Sequence, residues 1–183
     1  MQSCRRCRWA DPNDADYLRY HDLEWGKPHH DDGYLFELLI LESFQAGLSW
    51  ACILHKREAF HRAFDGFDVR KVAVYDAEKC AALMQDASIV RNRRKIDAAV
   101  CNAQIFLRIQ SEWGSFDRYL WHFTDGLVIR HDDGVPRTTS PLSDAVSADL
   151  RRRGMKFVGS TVIYSYLQAT GVVNDHKPGC DFV

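Results

Sequence analysis

The chain is organised around residues 41–50, LESFQAGLSW, which join two runs dense in apolar residues at 34–41 and 50–54. A single carboxylate, Glu42, stands at the end of the first run, and an aromatic ring, Trp50, follows eight positions later. An acid between two hydrophobic helices, with an aromatic residue nearby, predicts a small pocket with a polar floor. The alternative is that Trp50 belongs to the core and that Glu42 is partly buried with its carboxylate satisfied.

The composition is that of a globular protein, since 46% of the 183 residues are hydrophobic and 12% are aromatic. A chain of this length buries roughly 70% of its unfolded surface, and no repeat or linker divides it, so we expect one domain over 1–183. The net charge of -1 gives no overall attraction to nucleic acid, so such binding would need local basic patches. No apolar run approaches the roughly 18 residues of a membrane span, and no secretory signal is evident, so we expect no membrane association and a cytoplasmic location.

The apolar periodicity predicts an all-α domain of many short helices, because strand-like alternation is close to absent. Acidic residues and serines stand where these helices begin, and Ser49 and Ser143 are predicted N-caps. Residues 124–140 are predicted to form a loop, and the tail 172–183 is predicted to be irregular. Helices are predicted at about 14–22, 33–44, 49–64, 69–74, 77–85, 93–113, 115–123, 144–153 and 161–170.

Cysteine and histidine residues occur near both ends of the chain. Cys4 and Cys7 form a CxxC pair near one end, His176 and Cys180 lie near the other, and His21 lies between them. Nitrogen and sulfur ligands of this kind suit tetrahedral zinc, and six cysteines without a secretory signal are more typical of thiols or metal ligands than of disulfides. Nothing near them suggests a catalytic metal, so the metal hypothesis is structural. The alternative is that these side chains bind no metal.

Two basic segments, 91–95 and 151–156, are candidates for contacts with nucleic acid. The first lies where a tight turn enters a helix, so free backbone N–H groups and the helix dipole would add to the arginines in favouring a phosphate. A helix–turn–helix hairpin that binds phosphates independently of sequence is therefore one hypothesis. The alternative is that both segments are simply solvated helix surfaces.

The predicted pocket would contain one carboxylate, Glu42, and three aromatic side chains, Tyr17, Tyr20 and Trp50. Such a set could bind a flat, electron-poor ring that stacks on an aromatic side chain and donates a hydrogen bond from an amino group to Glu42. A cationic ring would add a cation–π attraction of roughly 0.5–2 kcal/mol.

Several long strings of residues occur together between Cys7 and Cys180. They are CRW at 7–9, YxxYHDxEWG at 17–26, LFE at 35–37, LExFQAGLSW at 41–50, KRE at 56–58, KFVG at 156–159, VNDH at 173–176 and GC at 179–180. In this combination the sequence resembles the DNA-3-methyladenine glycosylase I family, bacterial enzymes that excise 3-methyladenine from alkylated DNA. The resemblance covers nearly the whole chain.

The resemblance implies a helix-hairpin-helix glycosylase-like fold, with a hairpin at about 82–102 that meets the DNA backbone. It also implies one structural Zn²⁺ ion that ties together the two ends of the chain, at about 4–25 and 172–183. Cys4 is not among the zinc ligands that the resemblance implies. The residues implied are Arg91, Arg94 and Lys95 at the DNA backbone, and Cys7, His21, His176 and Cys180 at the zinc.

For the pocket, the resemblance implies that Glu42 is the catalytic residue and reads a cationic purine that stacks on Trp50. Tyr17 and Tyr20 would shape the slot, and Leu48 would contact the gap left by the extruded base. Water would then attack the sugar carbon C1′ and leave an abasic site. We expect no lyase activity, because no lysine is predicted in the pocket.

The chain departs from the family pattern at two places. Ser43 stands where the family usually has a glycine, and its side chain could alter the pocket floor. The hairpin lacks both usual glycines, and Ser88 and Arg94 stand in their places. A positive φ at Ser88 would cost energy that a glycine would not, whereas Arg94 could add a phosphate contact.

The sequence therefore predicts a monomeric DNA repair glycosylase that acts on double-stranded DNA containing 3-methyladenine. Two alternatives remain at this stage. One is a zinc-stapled helix-hairpin-helix module that binds DNA without catalysis. The other is a small-molecule enzyme that uses Glu42 as a general base, and it predicts no dependence on duplex DNA.

Overall fold

The computed structural model describes residues 4–131 and 135–183, and most of these residues lie in α-helices. The prediction of a mostly helical fold is confirmed. Short 3-10 turns occur at Asp65–Phe67 and His122–Thr124. The helices are α1 (Ala15–Leu23), α2 (Asp32–Gln45), α3 (Trp50–Leu54), α4 (Arg57–Ala63), α5 (Val69–Val72), α6 (Ala77–Gln85), α7 (Arg93–Trp113), α8 (Phe116–Trp121), α9 (Pro141–Arg152) and α10 (Ser160–Ala169).

Helix α2 lies at the centre of the core. The Asp31 side chain begins it by accepting a hydrogen bond from the Tyr34 backbone N–H at 2.8 Å. Most of the residues from Leu35 to Phe44 are buried, because α2 packs against α3, α7, α8 and α10. Its nearly continuous apolar sequence is what a helix covered on several sides requires. Glu42 is therefore carried into the interior by its position in α2.

The segment predicted as one helix at 49–64 is two helices. Ser49 caps α3 as predicted, since its hydroxyl accepts from the Cys52 backbone N–H at 3.2 Å. The chain then turns at His55 and Lys56 before α4 begins. This break lets Arg57 form ion pairs with both Glu24 and Glu37, at 2.6 Å each.

Helix α9 begins earlier than predicted, because Ser143 is not its N-cap. Ser140 is the N-cap, and its hydroxyl and that of Ser143 each accept a backbone N–H of the other residue. Pro141 occupies the first turn, where its missing N–H costs no hydrogen bond. Ser143 therefore completes a capping box from inside the helix.

Two strands of two residues each were not predicted. β1 (Ile129–Arg130) lies in the predicted loop and pairs in parallel with β2 (Val173–Asn174) in the tail. Two residues are too few to show the alternation that marks a strand in a sequence. This pairing holds the tail against the segment that follows α8. Residues 132–134 of the predicted loop lie outside the described residues. No helix in the described part of the chain is both long and apolar enough to cross a membrane.

Candidate active site and metal-binding cluster

Four side chains from three segments that are distant in sequence lie together where the two ends of the chain meet. Their ligand atoms all lie within 4.8 Å of one another, and the four residues are Cys7, His21, His176 and Cys180. His21 lies in the last turn of α1, and His176 and Cys180 follow β2. The resemblance implied this same set of four. Cys4 is exposed and does not belong to the four-residue group.

The separations within this cluster match those of a tetrahedral zinc site. Zn–S bonds of about 2.3 Å and Zn–N bonds of about 2.0–2.1 Å, at tetrahedral angles, place sulfur and nitrogen about 3.5 Å apart. Cys180 Sγ lies 3.6 Å from His21 Nε2 and 3.3 Å from His176 Nδ1. Cys7 Sγ lies 3.6 Å from His176 Nδ1. The donor set and its geometry therefore fit a zinc ion.

The remaining nitrogen of each histidine is held by the protein. His21 Nδ1 lies 2.7 Å from Asp22 Oδ1, and Arg6 in turn donates to the Asp22 carboxylate. His176 Nε2 lies 3.0 Å from the Trp25 carbonyl oxygen. Such partners fix the ring orientation and the tautomer of a metal-binding histidine. Burial raises the pKa of the Cys7 thiol above its usual value.

Gly26 is required beside this cluster. Its φ is +73°, and a Cβ atom there would lie 3.0 Å from the His176 ring. Any larger residue would therefore be strained and would press against the His176 ring.

A cavity of about 270 Å³ lies between the N-terminal segment, α1, α2, α3 and α10. Its walls include all four predicted pocket residues, Tyr17, Tyr20, Glu42 and Trp50. Leu48 is not a wall residue of this cavity, and its side chain is 40% exposed between α2 and α3. The other residues that line the cavity are Trp9, Trp25, Gln45, Val135, Pro136, Arg137, Ser165, Gln168, Asp175 and Lys177.

Glu42 and Trp50 each place a buried polar atom at the cavity. Glu42 is 2% exposed, and burial raises the pKa of its carboxyl from 4.5 to about 8. Within the described residues, Glu42 Oε2 and Trp50 Nε1 are buried and have no hydrogen-bond partner. The Tyr20 and Trp50 rings lie 5.2 Å apart, and burial raises the pKa of Tyr20 well above its usual value. Among its polar groups, the cavity can therefore offer a ligand one unpaired acceptor and one unpaired donor, beside flat aromatic faces.

Sequence reasoning missed part of the cavity wall. Trp9 and Trp25 line it, and they lie outside regular helices, so no periodicity could assign them to a common site. The signal that could have found them is their place in the CRW and EWG strings. Lys177 also lines the cavity, so the prediction that no lysine lies in the pocket is wrong. It was missed because it comes from the irregular tail.

The aromatic wall connects the cavity to the metal-binding cluster. The Trp25 ring lies 4.7 Å from the His176 ring, and the Trp9 ring lies 5.1 Å from the His21 ring. Trp9 and Trp25 also contact each other at 4.8 Å. The position of two cavity walls therefore depends on the same histidines that could bind a metal.

The predicted hairpin corresponds to α6, the turn at 86–92 and the start of α7. Arg91 and Arg94 are exposed there. Lys95 is only 6% exposed, and its ammonium donates to the carbonyl oxygens of Phe44 at 2.7 Å and Ala46 at 2.6 Å. The prediction that Lys95 contacts the DNA backbone is therefore wrong, because its charge is directed into the protein.

The two departures from the family pattern are accommodated without strain. Among the described residues, positive φ occurs outside glycine at Asp65, Phe67, Asp125 and Phe157, and Ser88 is not one of them. The Ser43 hydroxyl donates to the Leu39 carbonyl at 2.8 Å and to the Phe157 carbonyl at 3.3 Å. Ser43 is not among the residues that line the cavity, so its hydroxyl adds no polar group to the pocket floor.

Comparisons with known proteins agree with this geometry. The sequence model of the methyladenine glycosylase family matches residues 9–183. The chain is 42% identical to DNA-3-methyladenine glycosylase 1 of Escherichia coli (strain K12), over 96% of this chain and 95% of that protein. It is 39% identical to the DNA-3-methyladenine glycosylase of Haemophilus influenzae, over 96% of both chains.

Solved structures show the same similarity. A crystal structure of 3-methyladenine DNA glycosylase I matches with a TM-score of 0.92 and 42% identity, over 97% of this chain and 98% of that chain. The Staphylococcus aureus enzyme, solved to explain its recognition of 3-methyladenine, matches with a TM-score of 0.92 and 37% identity, over 96% of this chain and 95% of that chain. On sequence and structure alike, the chain belongs to the methyladenine glycosylase family.

Proposed function

We propose that this protein is a DNA repair enzyme that excises 3-methyladenine from alkylated DNA by hydrolysing the N-glycosidic bond. The observation that carries the proposal is the pairing of Glu42 with Trp50 in one cavity. Glu42 Oε2 is a buried acceptor without a partner, so it suits an amino group at a base edge, and the Trp50 ring offers a face on which that base can stack. The family to which the chain belongs supports the same substrate.

The cavity suits a cationic base that has left the duplex. Extrusion is favoured for a lesion whose base pairing is already compromised. The base stacks on Trp50 and donates hydrogen bonds to Glu42. A positive charge beside Glu42 favours its ionised form, so the carboxylate selects a cationic purine over a neutral one. Tyr17 and Tyr20 confine the ring.

Hydrolysis needs little acid catalysis from the protein. Methylation at N3 places a positive charge on the adenine, which weakens its bond to C1′. The oxygen of a water molecule bonds to C1′, the electron pair of the broken bond neutralises the base, and the water releases a proton. Free 3-methyladenine and an abasic site result. This step uses no amine, so the enzyme is monofunctional although Lys177 lines the cavity.

The proposed zinc ion is structural and is held by Cys7, His21, His176 and Cys180. It would tie the N-terminal segment to the tail. Trp9 and Trp25 contact the ligating histidines and line the cavity, so the ion would also hold the aromatic wall in place. It supplies no step of the reaction.

We place the duplex against the helix-hairpin-helix at about 82–102. The exposed Arg91 and Arg94 lie where α7 begins, and its N-terminal N–H groups and dipole favour a phosphate. The exposed Leu48 fills the gap left by the extruded base. The protein acts as a monomer in the cytoplasm.

A base-release assay on methylated duplex DNA tests the proposal. We expect free 3-methyladenine, identified by mass spectrometry, and abasic sites without strand breaks. Glu42→Gln should reduce release while the protein stays folded. No free base from the wild type would contradict the enzyme and favour a DNA-binding module. Covalent trapping by borohydride on abasic DNA would instead contradict monofunctional hydrolysis.

A further inference from the structure

The hairpin and the active-site helix are joined through one buried cation. Lys95 lies in the first turn of α7, but its side chain reaches the end of α2. There its ammonium donates to the carbonyl oxygens of Phe44 and Ala46. The last carbonyls of a helix lack helical N–H partners and carry the negative end of the helix dipole. A cation at this place therefore completes the end of α2.

The turn fixed by Lys95 carries the groups that would act on DNA. Glu42 and Gln45, which line the cavity, lie in the last turn of α2. The Leu48 backbone N–H donates to the Gln45 carbonyl at 2.7 Å, so the exposed Leu48 is tied to the same turn. Trp50 begins the next helix. The backbone between the carboxylate and the stacking ring is thus held from the hairpin side.

The surroundings of Lys95 make this link stiff. The Phe157 ring lies 6.0 Å from the ammonium, and the Ser43 hydroxyl donates to the Phe157 carbonyl. Asn102 of α7 binds both the backbone N–H and the carbonyl of Lys156, at 2.8 and 2.9 Å. The connection from α9 to α10 therefore packs over the same junction. Charged hydrogen bonds shielded from water are stronger than exposed ones.

We propose that Lys95 is a positioning residue that couples the DNA-contacting hairpin to the turn bearing Leu48. Docking of Arg91 and Arg94 on the phosphates would then fix where Leu48 enters the duplex and where the extruded base meets Glu42. This inference rests on the proposed function. It assigns to Lys95 a contact with the protein's own backbone in place of a contact with DNA.

The first test separates a positioning role from a phosphate contact. Lys95→Met keeps the side-chain length and removes the charge. The dependence of duplex binding on salt should keep its slope in Lys95→Met, whereas Arg94→Ala should lower the slope by about 0.9. Single-turnover excision by Lys95→Met should fall by about tenfold or more. Lys71→Met, at an exposed lysine of α5, is the control for loss of one surface charge. A lower slope in Lys95→Met would overturn the proposal.

The second test asks whether Lys95 acts through Leu48. In a Leu48→Ala background, Lys95→Met should lower excision far less than in the wild type. Binding of free 3-methyladenine, followed by tryptophan fluorescence, should change less than twofold, because the cavity walls remain. Independent effects in the double variant, or equal loss of base binding and excision, would show a purely structural role and overturn the inference.

Folding and the proposed function are controlled separately. Lys95→Arg keeps the charge and the donors and should recover part of the excision rate that Lys95→Met loses. If Lys95→Met does not fold, Lys95→Arg is compared with the wild type in its place. If the wild type releases no base, the proposed function fails. If the wild type is active and Lys95→Met matches it, only the positioning role fails.

Discussion

Glu42 Oε2 and Trp50 Nε1 are a buried acceptor and a buried donor on the wall of one cavity, and neither has a partner among the residues that the structure describes. A buried polar atom without a hydrogen bond costs about 1–3 kcal/mol of stability. The unpaired acceptor is consistent with a ligand that donates to Glu42. The free protein is therefore less stable than it would be with an apolar pocket, and binding recovers part of the difference.

The first prediction is that Glu42→Gln stabilises the free protein increasingly as the pH rises. The pKa of Glu42 is raised from 4.5 to about 8 in the folded state. Below about pH 4.5 both states are protonated, and the group contributes no pH dependence. Between these values only the unfolded chain ionises, so the folded state binds more protons and stability falls with rising pH.

At pH 7 the stability lost through Glu42 is at most about 3 kcal/mol, and glutamine removes it. Urea unfolding at about pH 5 and pH 7 measures this effect. The exposed Glu78 of α6 supplies the control Glu78→Gln, which should leave the pH dependence unchanged. A stability difference between the wild type and Glu42→Gln that does not grow over this interval would contradict the assignment.

The second prediction is that Trp50→Phe weakens binding of free 3-methyladenine by about tenfold. The physical reason is the smaller ring, because phenylalanine offers a stacked base less contact area than the indole does. Thermal stability should stay the same or rise, because an unsatisfied buried donor has been removed. Isothermal titration with free base measures the affinity. Trp113→Phe, far along α7, is the matched control, and equal affinity in both variants would exclude a stacking role for the Trp50 ring.

Much of the pocket could be predicted from the sequence, because helical position determines it. Glu42 lies in the last turn of an apolar helix whose burial is evident in its composition, and the cap at Ser49 sets where Trp50 begins the next helix. Trp9 and Trp25 could not be derived in this way, because irregular segments place them through contacts with distant histidines. Their assignment depends on tertiary structure.

The direction of the Lys95 side chain could not be predicted from the sequence. A lysine among arginines in the first turn of a helix is usually solvated, and the sequence carries no local signal of its direction. Its long side chain is buried because the end of α2 presents two carbonyl oxygens nearby. These oxygens belong to residues 51 and 49 positions earlier in the sequence, so the contact depends on packing between helices. Charge patterning predicted a basic hairpin, but packing decides which of its cations face solvent.

The third prediction concerns Arg91 and Arg94, the exposed cations at the start of α7. Each change to alanine should lower the slope of log binding constant against log salt by about 0.9, because one fewer phosphate is neutralised. Binding should weaken similarly on any duplex sequence, since phosphate contacts carry no sequence information. Fluorescence anisotropy over a range of salt concentrations measures both effects. Arg108→Ala, exposed farther along α7, should keep the full slope, and an equal loss there would mean that the hairpin is not the contact surface.

The fourth prediction is that the protein binds one zinc ion and that Cys180→Ser loses it. Serine removes one of four ligands, and the tail then loses its tie to the N-terminal segment. Elemental analysis should show about one zinc in the wild type and much less in the variant, with a lower melting temperature. Cys4→Ser is a closely matched control, because Cys4 is exposed outside the cluster. Zinc loss in Cys4→Ser with retention in Cys180→Ser would reverse the ligand assignment.

The fifth prediction is that Asp22→Asn weakens zinc binding without unfolding the protein. Asp22 binds no metal itself but accepts from His21 Nδ1 at 2.7 Å, which leaves Nε2 directed at the cluster. Loss of such a partner typically lowers metal affinity by about 10–100-fold. Competition with a chromogenic chelator measures the affinity, and circular dichroism checks the fold.

Two controls separate the causes of a weaker site in Asp22→Asn. Arg6→Gln leaves the carboxylate on His21 but removes its guanidinium partner, so zinc affinity should fall by less than in Asp22→Asn. Asp181→Asn alters a surface carboxylate next to Cys180 and should have little effect, because Asp181 contacts Arg5 and no histidine of the cluster. If Asp181→Asn weakened zinc as much as Asp22→Asn, the effect would come from general loss of negative charge. If zinc affinity is lowest in Asp22→Asn, intermediate in Arg6→Gln and nearly unchanged in Asp181→Asn, the Asp22–His21 hydrogen bond orients the His21 ring.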